Sequence, residues 1–169
     1  MESAVLVSLL YLVHSFPVGG LAGAVLLLVL QAATTFLIHC PAHYLVGGVL
    51  GIRFNRISLG PSTITNALPP SLRGLGRVVP VFRLSVNKET SRAASPGRLK
   101  AMYLSGVTAS AGSSAVIAVA VTLTGTVLAS TLTWSFALLY LFSDVFLSPK
   151  GGDVMRARMA SERRAKPSQ

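Results

Sequence analysis

Between Ser3 and Gly51 the chain carries no lysine, arginine, aspartate or glutamate. An uncharged run of about fifty residues is long enough for two bilayer crossings, each of which takes roughly 20 apolar residues. Pro17, Gly19 and Gly20 form its natural break. The first piece, Ser3 to Phe16, is short for a crossing. The second runs from Leu21 to about Leu50 and ends in Gly47, Gly48 and Gly51. A further apolar region, Ala101 to Leu147, contains one charge, Asp144, and divides near Thr124-Gly125-Thr126. These features predict an all-α polytopic membrane protein of about four spans, near residues 3–20, 21–50, 101–123 and 126–147. Three spans is the alternative if the first piece does not cross. On this reading residues 1–150 form one transmembrane domain and residues 151–169 a basic tail.

Charge supports the reading and orients it. Only 12 % of the residues are charged, about half the fraction usual in soluble domains, which argues against a soluble globular enzyme. A hydrophobic content of 51 % excludes a disordered chain. The net charge is nevertheless +10. Residues 52–100 hold nine basic residues and one acid, Glu89, and the chain from Ser148 onward holds six basic residues and two acids. Two spans separate these regions, so they share one face, and the positive-inside rule makes that face cytoplasmic. The expected location is the plasma membrane of a prokaryote, with the basic loop and C-terminus inside and the basic residues attracted to anionic lipid. Few aromatics interleave the arginines, so no nucleic-acid partner is expected. A basic n-region is missing, since Glu2 is the only charge before Arg53; no cleaved secretory signal is expected. Cys40 is the only cysteine, so there is no intrachain disulfide.

The loop itself suggests structure. Ile52 to Leu59 alternates apolar and polar residues, as a half-buried strand does, and Gly60-Pro61 ends it. Val78 to Val86 reads as a second strand, which Pro80 confines to an edge. The two form a short cytoplasmic β-hairpin-like element. Asn87 to Arg98 reads as a mobile connector. In the third span Gly106, Ser110, Ser114 and Ala118 repeat at a helical period, a stripe that lets another helix approach closely in lipid.

Ionisable groups inside spans are costly and mark functional candidates. His39 and His43 lie four residues apart, which puts both imidazoles on one helix face, where a metal could bridge them. Zinc, copper, nickel and iron all suit neutral imidazole. Asp144, an isolated carboxylate in a span, and Asp153, just beyond it, are the nearby acids. His14 reads as a hydrogen-bonded interfacial residue, and Trp134 and Tyr140 as helix-packing residues.

The string His39-Cys40-Pro41-Ala42-His43-Tyr44-Leu45, then Gly47-Gly48-Val49-Leu50-Gly51-Ile52-Arg53-Phe54, then Ile57-Ser58-Leu59-Gly60, resembles the membrane zinc peptidases related to site-2 protease. That family carries H-E-x-x-H on a span, then a small-residue stretch, "LGI" and a basic residue, and a strand ending in "SxG". Tyr103 to Ser110 is similar to the small-residue start of the family's next span. Asp144 to Asp153, with Pro149, Gly151 and Gly152, is similar to its closing segment, where an acid beside glycines supplies the third metal ligand. The resemblance runs from about Leu21 to Arg158. It implies a zinc site of His39, His43 and an acid. A direct alignment of the glycines would put Lys150 at the ligand position; Asp153 is favoured because some membrane zincins end with a Gly-Asp segment, while burial in a span argues for Asp144. Asp144 is left to orient a histidine or to ligate in its place.

Two residues depart from the family pattern. Cys40 stands where the family has the glutamate that acts as general base, and a thiol is a poor proton relay. Cys40 could instead bind metal. Pro41 removes a backbone donor within the helix and should kink or widen its turn. No catalytic residue is therefore assigned. The expected function is a proteolytically inactive relative that regulates or holds a client's transmembrane helix. A small accessory subunit of a larger membrane complex is the alternative, and an atypical active endopeptidase the third reading.

Overall fold

The structure, a computed structural model, describes residues 20–61, 80–146, 148 and 152–162. The expected first span, His14 and the segment carrying Arg73 and Arg77 lie outside the described residues. The elements are α1 (Gly20–Val49), β1 (Phe54–Pro61), β2 (Pro80–Val86), α2 (Lys88–Ala93), α3 (Pro96–Thr124), α4 (Val127–Phe146) and α5 (Asp153–Glu162). Three of them, α1, α3 and α4, are long and apolar enough to cross a membrane.

The chain divides into two compact units. One comprises residues 1–38 and 109–141, the other residues 39–108 and 142–169.

In the first unit most fully buried residues are small or polar: Ala24, Gln31, Thr35, Ser110, Ala118, Ala129 and Thr133, beside a small apolar cluster that includes Leu27, Ile117 and Val121. Large apolar residues such as Leu26, Val29, Leu37 and Leu139 are exposed. Surfaces of this kind suit lipid, where close packing and internal hydrogen bonds, rather than apolar burial, hold helices together. Ser110 donates its hydroxyl to the Thr35 carbonyl at 2.8 Å. The Gln31 amide nitrogen lies 3.0–3.1 Å from the Ser114 hydroxyl and carbonyl and from the Thr133 carbonyl. The expected Gly106–Ser114 stripe thus has two of its members engaged with α1 of the same chain. Trp134 donates to Thr122 Oγ1 at 2.9 Å, and Tyr140 stacks near Phe36 and Phe136. Replacing Gln31 by leucine keeps the volume and removes its hydrogen bonds. The expected cost is only about 0.6 kcal/mol, the mean for such bonds in membranes, read as a small drop in melting temperature in detergent.

The second unit takes in the last turns of α1, which ends at Val49. Gly51 adopts φ +78°. Its N–H bonds the Gly48 carbonyl at 3.1 Å, and that of Ile52 the Gly47 carbonyl at 2.8 Å. This is the glycine-terminated helix end in which a left-handed residue turns two orphan carbonyls inward. The turned chain buries Ile52, which packs with Leu99, Met102 and Ala160. Strands β1 and β2 pair antiparallel, with Leu59 opposite Phe82, Ile57 opposite Leu84 and an irregularity between Phe54 and Arg56. Gly47 leaves room for the Phe54 ring, which a Cβ there would overlap.

One expectation is corrected. Asn87 to Arg98 is not a mobile connector. Asn87 caps α2 by accepting from the N–H groups of Glu89 and Thr90, which satisfies donors that a helix start leaves unpaired. After Ala94, α3 starts at Pro96, five residues earlier than expected. Its Ser95 hydroxyl accepts from the Arg98 N–H at 3.4 Å, and proline suits a first helical position because its missing donor is one of the orphans. Helix α1 runs without interruption through Pro41.

Candidate metal centre

Every group of the site belongs to the second unit. His39 and His43 project from the last third of α1 one turn apart, with ring centroids 4.7 Å apart. Asp153 opens α5, where the positive end of the helix dipole favours a carboxylate. Two contacts set that helix start. Buried Ser148 accepts the Val154 N–H on its hydroxyl at 3.2 Å and the Gly152 N–H on its carbonyl at 2.7 Å. Along the same helix Ala157 and Ala160 are buried, and Ala160 packs on Ile52, Leu99 and Met102.

The three side chains converge. Asp153 Oδ2 lies 2.9 Å from His39 Nε2 and 3.2 Å from His43 Nε2, and the two nitrogens are 3.2 Å apart. Zinc bound tetrahedrally by such atoms at about 2.0–2.1 Å separates them by roughly 3.3 Å. The triangle is therefore within a few tenths of an ångström of the required size. Among the described residues this cluster could hold a metal ion.

The proton arrangement points the same way. His43 Nδ1 lies 2.7 Å from the Met102 carbonyl, which also accepts the Ser105 hydroxyl at 2.7 Å. A carbonyl only accepts, so Nδ1 carries the proton and the neutral ring presents a lone pair at Nε2. That lone pair faces a carboxylate oxygen. Two acceptors at 3.2 Å need either an additional proton or a cation to reconcile them. A histidine fixed by a backbone carbonyl behind its ring is the usual arrangement of a metal ligand.

Asp153 is half-buried, which by itself pushes its carboxyl up. Hydrogen bonds and charge from His39 and His43 outweigh that and hold it well below the usual carboxylate range. Arg156 Nη1 is 3.5 Å from its other oxygen.

The remaining expected site residues have different surroundings. Cys40 is buried, and its thiol donates to the Phe82 carbonyl of β2 at 3.1 Å. Asp144, near the end of α4, is buried close enough to feel the charges of His39 and Asp153. Gly106 lies directly against the His43 ring, and a Cβ there would overlap Nε2. Sequence reasoning took this glycine as helix packing; its proximity to the imidazole is what the period alone could not reveal. The Met102 carbonyl, the Ser148 cap and Arg156 were missed as well, and a backbone carbonyl leaves no mark in a sequence.

No family model, curated protein or solved structure matches this chain.

Proposed function

We propose that this is a polytopic membrane protein with a zinc site formed by His39, His43 and Asp153, built like the membrane zinc peptidases related to site-2 protease. The observation that carries the proposal is the convergence of His39 Nε2, His43 Nε2 and Asp153 Oδ2 within 3.2 Å of one another while the opposite ring nitrogen of His43 is tied to Met102. Zinc when bound supplies a Lewis acid with one position left open by three protein ligands. His43 is oriented by Met102, and Asp153 carries the negative charge.

The same reading makes the protein a regulator or holder of a client helix rather than a peptidase of the usual kind. The position of the missing general base is occupied by Cys40, whose thiol is engaged with the backbone of β2. Four spans, with the basic loop and C-terminus in the cytoplasm of a prokaryotic cell, complete the proposal. The accessory-subunit alternative drew on the small-residue stripe, and Gly106, Ser110 and Ser114 all have neighbours on α1 of the same chain.

The test is metal content. Protein purified without a polyhistidine tag in mild detergent should carry about one zinc per chain by plasma mass spectrometry. The His39→Ala/His43→Ala double variant should carry none. Zinc-free protein after reconstitution would remove the site and return the alternative to first place.

A further inference from the structure

We infer that Asp144 is the charge-compensating carboxylate of the His39–His43–Asp153 site, stabilising a bound divalent cation through its charge without ligating it. This rests on the metal reading above and extends it. Asp144 is 8 % exposed, and its Oδ2 is buried with no hydrogen-bond partner. Such an atom is expensive: burying a carboxylate is tolerated only when a partner or a cation offsets the lost hydration. Among the described residues nothing hydrogen-bonds that oxygen, yet Asp144 interacts electrostatically with both His39 and Asp153. It is not a member of the group of ligand atoms that lie within 4.8 Å of one another. The carboxylate therefore lies beside the site rather than in it.

The charge balance explains the position. A divalent cation with two neutral imidazoles and Asp153 leaves one positive charge uncompensated. Arg156, next to Asp153 and 41 % exposed, adds a further positive charge, partly screened by water. One more carboxylate in poorly hydrated surroundings brings the centre back toward neutrality. In the metal-free protein the two carboxylates repel each other, and Asp144 keeps its unpaired oxygen. Cation binding relieves both penalties at once, so affinity and the burial of Asp144 are linked.

The linkage has a signature of opposite signs. In full-length protein in detergent, Asp144→Asn should weaken zinc binding roughly 10–100-fold, the usual range for groups supporting a ligand set. The metal-free melting temperature of this variant should be unchanged or higher, because a buried unpaired charge has gone. Cobalt(II) absorption bands should keep their positions, since the ligands are the same, and Asp144→Glu should recover part of the affinity. Equal zinc affinity in the Asn variant would overturn the inference alone. So would shifted cobalt bands, which would make Asp144 a ligand, or a lowered metal-free melting temperature, which would make it structural. A wild-type protein that binds neither zinc nor cobalt would overturn the metal reading and this inference together.

Discussion

Replacing Gly106 by alanine is expected to abolish tight metal binding, although the substitution adds one methyl group to a residue that is not a ligand. The added Cβ would occupy space held by Nε2, Cε1 and Cδ2 of His43. The ring must swing away, or α3 must move back. Either response lengthens the 2.7 Å bond to Met102 that fixes the tautomer, and frees Nε2 from its aim at Asp153. Loss of one ligand from a zinc site costs about 3 kcal/mol, taking the total for a four-ligand site as about 10–16 kcal/mol, or about a hundredfold in affinity. Overpacking adds about 1–3 kcal/mol of destabilisation. Cobalt titration followed by absorption, with circular dichroism to show retained helix, measures both. A Gly106→Ala protein that binds cobalt as tightly as wild type would mean that His43 is not a ligand in the pose described.

Asp153→Asn should have the largest effect of any single charge change. The asparagine keeps the shape and can still accept a hydrogen bond. It removes the only anionic ligand, and about a hundredfold or more of zinc affinity should go with it. Asn at this position also removes a pH-dependent contribution to stability. The folded carboxyl is held below its ordinary value, so the stabilisation is present above the unfolded pKa of about 3.9. It is lost as pH falls through the lower, folded value. Metal lost on mild acidification therefore does not reflect protonation of Asp153. The melting-temperature gap between wild type and Asp153→Asn should hold from pH 7 down to about 4 and narrow only as the pH falls further. A gap that does not narrow below about pH 4 would show that the carboxylate is not paired in the folded protein.

The three helices long and apolar enough to cross a membrane were legible because a long uncharged run is a simple signal. Runs without charge, broken at Gly125 and closed at Gly51, place α1, α3 and α4 within a few residues of their observed ends, except at the start of α3. That start was missed because hydropathy was followed where a cap signal was available. Ser95-Pro96 is a helix opening, and Asn87 before Lys88-Glu89-Thr90 is another. The histidine pair was visible from its spacing. The carboxylate that meets it, Asp153, could only be ranked against Asp144, because the choice depends on how Ser148 and the buried alanines of α5 set that helix. What the sequence could not contain is the Met102 carbonyl, since every residue has one and only the fold selects which meets a ring.

The two ends of the ligand set stand 114 residues apart in the chain. A nascent polypeptide that has produced α1, the hairpin and α3 already owns both imidazoles, and Met102 with which to orient one of them. It holds no Asp153 until nearly all the described helices have been synthesised. A metal ion held by all three side chains would thus be open only to molecules made through α5, and its capture would report finished assembly as well as a filled site.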